Sequence, residues 1–521
     1  MKLVLCITSP LLGLSRRGEM VREKKFANVS GAKETPAGKF METIIEDVIN
    51  TGAMTFAEWH ALSANPFAPL AIPISQGRQY QVTQVGVNAA DMLTNTTWKS
   101  REDLRQTIDR KAFRKLSFQA IGDTLSDCPS RLLELPDDWY EQDEVLGDDF
   151  YTALLEYYQV RLQELATSSS PDLDWHIPCH IFNSNQDVPA FAVGPVRFLP
   201  RAEWVNSFVK DSEVRELIRQ VETRELEMEE LITQSTAAES NHHGLHAVDV
   251  LRTLHHYSWV ATIRMERHEY VQSHFKASMV VGLAIDAIGL RFHIEDARRF
   301  TKVGRQHLFA EDRLATTLDG KLFRGSSVQM PGIGSRPGAL SAKMLGEQPF
   351  LDAAGCILQH YIDGRRNGHA LHLVERWANA LYWVGEARRE SYDFMAVVNY
   401  GCAADGLSGA GGTAKEMIRF AEAALKPEGG KLPKGAFTVN DAVHKVYREG
   451  RNKLAHGEMS GLLEDLAEPR AIGEALLLAL FDVVTPVLSD LLQNEPNLPK
   501  LDEKHAYRLL EAKLAANIAK T

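Results

Sequence analysis

The apolar positions of the chain follow two different periods, and the change between them divides the sequence. Up to about residue 232, helical spacing over 37–50 and 150–165 is interspersed with strand-like alternation of apolar and polar residues. The segments that alternate in this way are 79–87, 175–182 and 190–199. This mixture predicts an α+β region over 1–232.

A charged amphipathic helix over 213–232 is predicted to connect this region to the rest of the chain. Beyond it, strand-like alternation disappears and apolar residues recur at three- and four-residue intervals. The helices that this spacing predicts cover 247–260, 265–290, 357–362, 370–391, 392–404, 439–447, 454–466, 471–492 and 504–518. We therefore predict an all-α helical bundle over 233–521.

The composition narrows the class of protein. Of the 521 residues, 44% are hydrophobic and 24% are charged, which is ordinary for a globular chain with a large core. The formal net charge is −11. This charge argues against a protein that coats nucleic acid by bulk electrostatic attraction, but it leaves room for a small local basic site.

Cysteine usage and the apolar runs bear on location. The five cysteines are widely spaced and form no Cys-x-x-Cys pair, so we expect a reducing, cytoplasmic setting without a disulfide framework or a zinc ribbon. The apolar runs 277–290 and 475–488 are interrupted by Asp286, and by Asp482 and Pro486. We therefore interpret both as core helices and expect no membrane span.

An arginine, an asparagine and a histidine are combined in one short string of the helical region, Arg451-Asn452-Lys453-Leu454-Ala455-His456. A histidine can take or give a proton near neutral pH. Arginine stays charged and binds phosphate through two parallel hydrogen bonds, and an asparagine can orient a ribose hydroxyl or the histidine. These are the groups that cleavage of an RNA phosphodiester without a metal requires.

Helical geometry places these residues unevenly. Arg448, Asn452 and His456 are four apart and share one face of an α-helix. Arg451 lies about 140° around from His456 at ~100° per residue. Either Gly450 begins a new helix and frees Arg451, or the long arginine side chain wraps around the helix.

The string resembles the Arg-Asn-x-x-x-His signature of the HEPN superfamily of ribonucleases. Its flanks are similar too, with Tyr447 a few residues ahead and Ala455-His456-Gly457 at the end. The chain looks most like the Apea-like branch, whose members occur in bacterial antiphage systems. In that branch an aromatic helix, here 365–391, precedes the motif, and a segment like 393–398 leads to an acidic residue, here Asp405. The resemblance rests on about the last third of the chain, and it makes the core at about 350–495 HEPN-like.

The resemblance implies a mechanism in which the RNA 2′-hydroxyl attacks its own phosphate. His456 acts as general base or acid, Arg451 stabilises the developing negative charge, and Asn452 positions the histidine or the ribose. The product carries a 2′,3′-cyclic phosphate, and no metal or other cofactor is needed. Because a free 2′-hydroxyl is required, RNA is cut and DNA is not.

The resemblance also implies partners. Two motifs meet across a homodimer and form one composite cleft, with Arg448 and Lys453 attracting RNA phosphates. Asp405 and Glu386 are weaker candidates, as carboxylates that orient the basic groups. The function would be that of an antiphage or abortive-infection toxin, whose N-terminal region acts as a sensor or brake that answers a phage-derived trigger.

Two alternatives stay open. The first is a catalytically silent HEPN module that binds a nucleotide or a partner and transmits a signal. The second is a metal hydrolase that uses a group of histidines, His242, His243, His246, His255, His256, His268 and His274. Packing or a pH-sensitive interface is the more ordinary interpretation, since His268-Glu269 lacks the second histidine of a zinc-protease helix.

Two glycine-rich stretches complete the sequence reading. The stretch 406–415 lacks the residue order of a phosphate-binding P-loop, so it predicts a loop between helices. The resemblance implies that this loop borders the active cleft. The stretch 325–338 predicts either a mobile loop over a ligand or a plain connector.

Overall fold

The computed structural model describes residues 35–52, 54, 59, 70–127, 148–183, 188–237, 242–254, 256–305, 310–364, 371–425, 432, 437–455 and 465–518. Contacts within the chain divide it into two compact units, Met1–Ser169 and Ser170–Thr521. The division falls ahead of residue 232, the predicted boundary, which was placed where strand-like alternation ends.

The first unit is built mainly of helices around an apolar core. Its helices are α1 (Pro36–Gly52), α2 (Gln84–Ser100), α3 (Glu102–Arg105), α4 (Arg110–Ser126) and α5 (Asp148–Ser168). Two short strands, β1 (Ala71–Pro73) and β2 (Gln79–Gln81), pair antiparallel. The strand predicted over 79–87 is therefore wrong beyond Gln81. The reason is Thr83, whose side chain accepts a hydrogen bond from the backbone of Val85 and caps α2.

The second unit contains a five-stranded antiparallel sheet. Its strands are β3 (Leu173–His180), β4 (Phe191–Val193), β5 (Val196–Pro200), β6 (Trp259–Met265) and β7 (Thr301–Lys302), in the spatial order β4-β5-β6-β3-β7. The prediction that strands end before residue 232 is wrong, because β6 is the central strand. Most side chains of β6 are buried, so its sequence shows no clear alternation, and only its ends overlap the predicted helices 247–260 and 265–290.

Both faces of the sheet are covered. On one face, Phe198, Ala261 and Ile263 share a core with α10 (Tyr270–Leu290). On the other face, Leu199 and Val260 pack with a layer of short helices. These are α6 (Arg201–Phe208), α7 (Ser212–Glu222), α8 (Met228–Ala237) and α9 (His242–Leu254). The single helix predicted over 213–232 is thus two helices, α7 and α8, which pack in the core of this layer.

The remainder of the second unit is helical except for one exposed hairpin. The helices are α11 (Ile294–Ala297), α12 (Ala339–Asp363), α13 (Leu371–Arg389), α14 (Asp393–Ser408), α15 (Ala414–Leu425), α16 (Val439–Val443), α17 (Lys453–Ala455), α18 (Ala467–Asn494) and α19 (Glu503–Ile518). The hairpin joins β8 (Ala310–Thr316) to β9 (Leu322–Val328), so part of the predicted loop 325–338 is a strand. The chain is mostly helical, with its small sheets in the N-terminal and middle parts, as the predicted α+β-then-helical order requires.

Helices α10 and α18 are long and apolar enough to cross a membrane by length and composition alone. Within the fold, 72% and 56% of their most apolar windows are buried. Buried helices at the core of globular proteins pass the same test of length and composition. The two helices are therefore weak evidence for a membrane, and the absence of a span stays a prediction.

Candidate functional site

The Arg451–Asn452 pair lies on an unusual helical segment. Helix α16 continues without a break into a π-helical segment, His444–Asn452, which then passes into α17. Gly450 therefore does not begin a new helix, and that interpretation of the motif is wrong. Stretches of π-helix are rare and occur frequently at functional sites, because they change which side chains face a neighbour.

Helix α14 crosses this segment at very short range, and two glycines allow it. A Cβ added to Gly401 of α14 would lie 2.6 Å from the Cβ of Arg451. A Cβ added to Gly450 would overlap the Cγ1 of Val397, a buried residue of α14. The crossing thus fixes the backbone on both sides of Arg451, and the arginine side chain leaves the helix from a rigid base.

Alanine at position 450 is expected to lower the free energy of unfolding by about 1–3 kcal/mol, because the added methyl group overpacks the crossing with Val397. The matched control is Gly346→Ala, since Gly346 lies on an exposed part of α12 with open space around its Cα. Alanine there is expected to raise stability by about 0.5–1 kcal/mol through helix propensity. Urea titrations measure both changes, and an equal response of the two variants would contradict the close crossing.

The guanidinium of Arg451 is held by its neighbours without being neutralised. It lies 5.2 Å from the ring centre of Tyr447, and Nη1 donates to the Tyr447 hydroxyl at 3.4 Å. Nη1 also donates to Oδ1 of Asn452 at 3.0 Å. Within the described residues Arg451 forms no salt bridge and is half-buried. An oriented arginine without a carboxylate partner retains its capacity to bind an anion.

Arg451 lines an open cleft of ≈ 470 Å³, which we name the arginine cleft. Helix α13 contributes Arg376 and Trp383, α14 contributes Cys402 and Asp405, and α19 contributes Glu503. Trp383, which lines the cleft, is 38% exposed. The cleft therefore combines an exposed aromatic wall with charged groups of both signs.

The other charges of the arginine cleft have partners of their own. Arg376 forms a salt bridge with Glu503 at 2.5 Å. Oδ1 of Asp405 accepts a hydrogen bond from the backbone of Gly412 at 2.8 Å, which ties Asp405 to the loop between α14 and α15. The glycine-rich stretch is thus a loop between helices, as predicted. Burial raises the pKa of Tyr447, with Asp405 adding to the rise and Arg451 opposing it.

Several of the predicted site residues lie together. Arg451 and Asp405 line the same cleft, and Asn452 contacts Arg451 directly. Arg448 and Lys453 are exposed on the same segment. His456 lies outside the described residues, so its predicted role stays a prediction.

Glu386, which was predicted to act in the same site, lies outside the arginine cleft. Its Oε1 accepts from Arg305 at 2.5 Å and from Arg389 at 3.0 Å, away from the arginine cleft. The same two arginines also hold Asp286, at 2.9 Å and 2.6 Å. The four residues form a closed ion-pair ring between α10, α13 and the segment after β7. Burial raises the pKa of Asp286 to about 6, although Arg305 opposes the rise.

Sequence reasoning missed this ring, although one signal was available. Asp286 interrupts an apolar run, and it was used only as an argument against a membrane span. An acid inside a core helix is almost never left unpaired, so it calls for cations from other segments. Nothing in the sequence indicates that those cations are Arg305 and Arg389, because they come from distant parts of the chain.

The histidines proposed as metal ligands take different partners. His243 contacts Asp211 at 2.7 Å, and the ring of His274 packs at a tilt against Trp175 with ring centres 4.7 Å apart. His268 is fully buried and contacts the carbonyl oxygen of Glu266 at 2.7 Å. His255 lies outside the described residues. In the part of the chain that the structure describes, no three metal-binding side chains converge.

Comparison of the chain with protein-family models, with curated proteins and with solved structures gives no match.

Proposed function

We propose that the chain is a metal-independent endoribonuclease of the HEPN type that acts as an antiphage or abortive-infection toxin. The observation that carries the proposal is Arg451, which is oriented by Tyr447 and Asn452, opens onto a cleft and has no carboxylate partner among the described residues. An arginine in this state is suited to a phosphate that becomes more negative during reaction.

In this mechanism the 2′-hydroxyl of the RNA attacks the adjacent phosphorus, and the 5′-oxygen of the next nucleotide leaves. His456 takes the proton of the 2′-hydroxyl or returns one to the leaving oxygen. Arg451 stabilises the charge on the non-bridging oxygens, and Asn452 holds the guanidinium in place. The exposed ring of Trp383 offers a surface on which an unpaired base can stack.

Association of two chains would complete the site. In the proposed homodimer the two π-helical segments face each other, so that Arg451 and His456 from both chains line one cleft. Arg448 and Lys453, which are exposed on this segment, would then contact the phosphates on either side of the cut. The acidic chain as a whole disfavours unspecific RNA binding, which suits an enzyme that acts only after a trigger.

The test is incubation of purified protein with total RNA in the presence of EDTA, with wild type compared with His456→Ala. The wild type is expected to release fragments with 2′,3′-cyclic phosphate ends, and the variant is expected to release none. Extract from phage-infected cells is added in a parallel arm, because the proposed enzyme answers a phage-derived trigger. Equal fragment yields from both proteins, or the absence of fragments in both arms, would overturn the proposal.

One observation favours the silent module as a second candidate. The arginine cleft holds more carboxylates than arginines, since Glu375, Asp405 and Glu503 face Arg376 and Arg451. A balance of this kind is better suited to a mixed-charge partner than to a polyanion. RNA cleavage that the His456→Ala change abolishes would exclude this candidate.

A further inference from the structure

Lys302 is a buried lysine that forms no salt bridge among the described residues. It lies in β7, is 7% exposed, and its Nζ donates to the hydroxyl of Ser278 at 2.8 Å and to the carbonyl oxygen of Val303 at 3.2 Å. Because removing an ammonium from water is costly, lysines are almost never buried to this degree unless they are paired.

The adjacent ion-pair ring does not supply the missing anion. Its two carboxylates, Asp286 and Glu386, are each shared between Arg305 and Arg389 at distances of 2.5–3.0 Å. Two negative charges thus balance two positive charges, and the ring is neutral by itself. Burial and Arg305 lower the pKa of Lys302, and Asp286 opposes the fall. In its protonated form Lys302 adds one positive charge beside the ring.

Lys302 also lines a cleft of ≈ 350 Å³ that opens to solvent, which we name the lysine cleft. Ser278 and Arg305 provide further hydrogen-bond donors, and Phe275, Met279 and Tyr382 provide apolar walls. Gly282 of α10 leaves room beneath the two cations, since an added Cβ would lie 3.1 Å from Nη1 of Arg305 and 3.4 Å from Cε of Lys302. The volume is within the range of pockets that bind small molecules.

We propose that the lysine cleft binds a small phosphate ester that carries an aromatic group. The phosphate would meet the Lys302 ammonium and the Ser278 hydroxyl, which stand 2.8 Å apart. Arg305 donates three of its five N–H groups to the carboxylates of the ring. The other two N–H groups can donate to a second phosphate oxygen. Phe275, whose side chain is 62% exposed, would cover the aromatic group.

The size of the lysine cleft decides between a small molecule and a nucleic acid. A groove that follows a nucleic-acid backbone presents a row of cations, and each of them adds to the salt dependence of binding. Here one lysine without a salt bridge among the described residues stands in a cleft with apolar walls, and the carboxylate that lines the cleft, Glu386, is held by Arg305 and Arg389. One phosphate with one flat substituent satisfies this arrangement. The inference is independent of whether the arginine cleft cuts RNA.

Calorimetric titration of the full chain with phenyl phosphate tests the inference, and inorganic phosphate and benzoate serve as partial probes. Phenyl phosphate is expected to bind with a Kd below about 1 mM, and Lys302→Met is expected to weaken it by about tenfold or more. The melting temperature of Lys302→Met should be equal to or above that of wild type, because methionine fills the same space without a charge. The matched control is Lys504→Met on the exposed face of α19, which should change neither value.

Phe275→Ala provides a second variant, and since the side chain is largely exposed it should leave the fold intact. The Phe275→Ala change is expected to weaken the binding of phenyl phosphate and to leave the binding of inorganic phosphate unchanged. A wild-type Kd above about 1 mM, or unchanged affinity in both variants, would overturn the inference. Equal affinity for benzoate, or displacement of phenyl phosphate by a short single-stranded RNA, would overturn the assignment to a phosphate ester.

Discussion

Replacing Arg451 with alanine is expected to slow the proposed RNA cleavage by about 10²–10³-fold. The change removes the one guanidinium that the crossing of α14 and the π-helical segment orients towards the arginine cleft. Arg451→Lys should recover only part of the rate, because an ammonium keeps the charge and loses the two parallel hydrogen bonds. Initial rates at saturating and at limiting RNA measure the effect.

Whether the Arg451→Ala change alters kcat or KM identifies the role of Arg451. Loss of a guanidinium that acts on the transition state lowers kcat and kcat/KM together, whereas loss of one that only binds RNA raises KM. Arg508→Ala is the matched control, since Arg508 is exposed on α19 and lies outside the arginine cleft. Wild-type kcat in the folded Arg451→Ala protein would contradict the catalytic role.

Alanine at position 286 is expected to lower the free energy of unfolding by about 3–5 kcal/mol. Asp286 is buried, and it accepts from Arg305 at 2.9 Å and from Arg389 at 2.6 Å. Without it, the two buried arginines share only the carboxylate of Glu386. Urea titrations at neutral pH measure the change, and a triple variant with Arg305→Met and Arg389→Met should regain part of the loss.

A surface pair of similar geometry isolates the contribution of burial. Asp91 pairs with Arg114 at 2.6 Å, but both side chains are partly or largely exposed. Asp91→Ala is therefore expected to cost less than about 1 kcal/mol, since water screens the pair and replaces the lost contact. Equal decreases in the free energy of unfolding for Asp91→Ala and Asp286→Ala would show that burial does not increase the contribution of the ion-pair ring to stability.

The long helices could be predicted from sequence because each carries an apolar face several turns long. The predicted segments 471–492 and 504–518 lie within α18 and α19. Strand β6 could not be predicted, because burial of both faces removes the alternation that marks a strand. The first-unit boundary after Ser169 was missed for a related reason, since the sheet of the second unit begins in a region that was read as a single α+β block.

The candidate site was predictable in its residue types and not in its geometry. Apolar spacing cannot distinguish a π-helical from an α-helical turn, so the π-helical segment that carries Arg451 and Asn452 could not be predicted. The close crossing depends on Gly401, which is distant in sequence from Arg451. Glu386 and Asp405 both lie in segments that the family resemblance places ahead of the motif, yet Glu386 is held by Arg305 and Arg389 and lines the lysine cleft.

Helix α13 has neighbouring residues in two different clefts, since Tyr382 lines the lysine cleft and Trp383 lines the arginine cleft. Their rings touch edge to face, with centres 5.7 Å apart. The two clefts therefore share a wall, and any tilt of this wall changes the width of both. A ligand of one cleft that prefers one position of this wall therefore changes the affinity of the other cleft for its own ligand. By thermodynamic reciprocity, the second ligand changes the affinity for the first by the same coupling free energy.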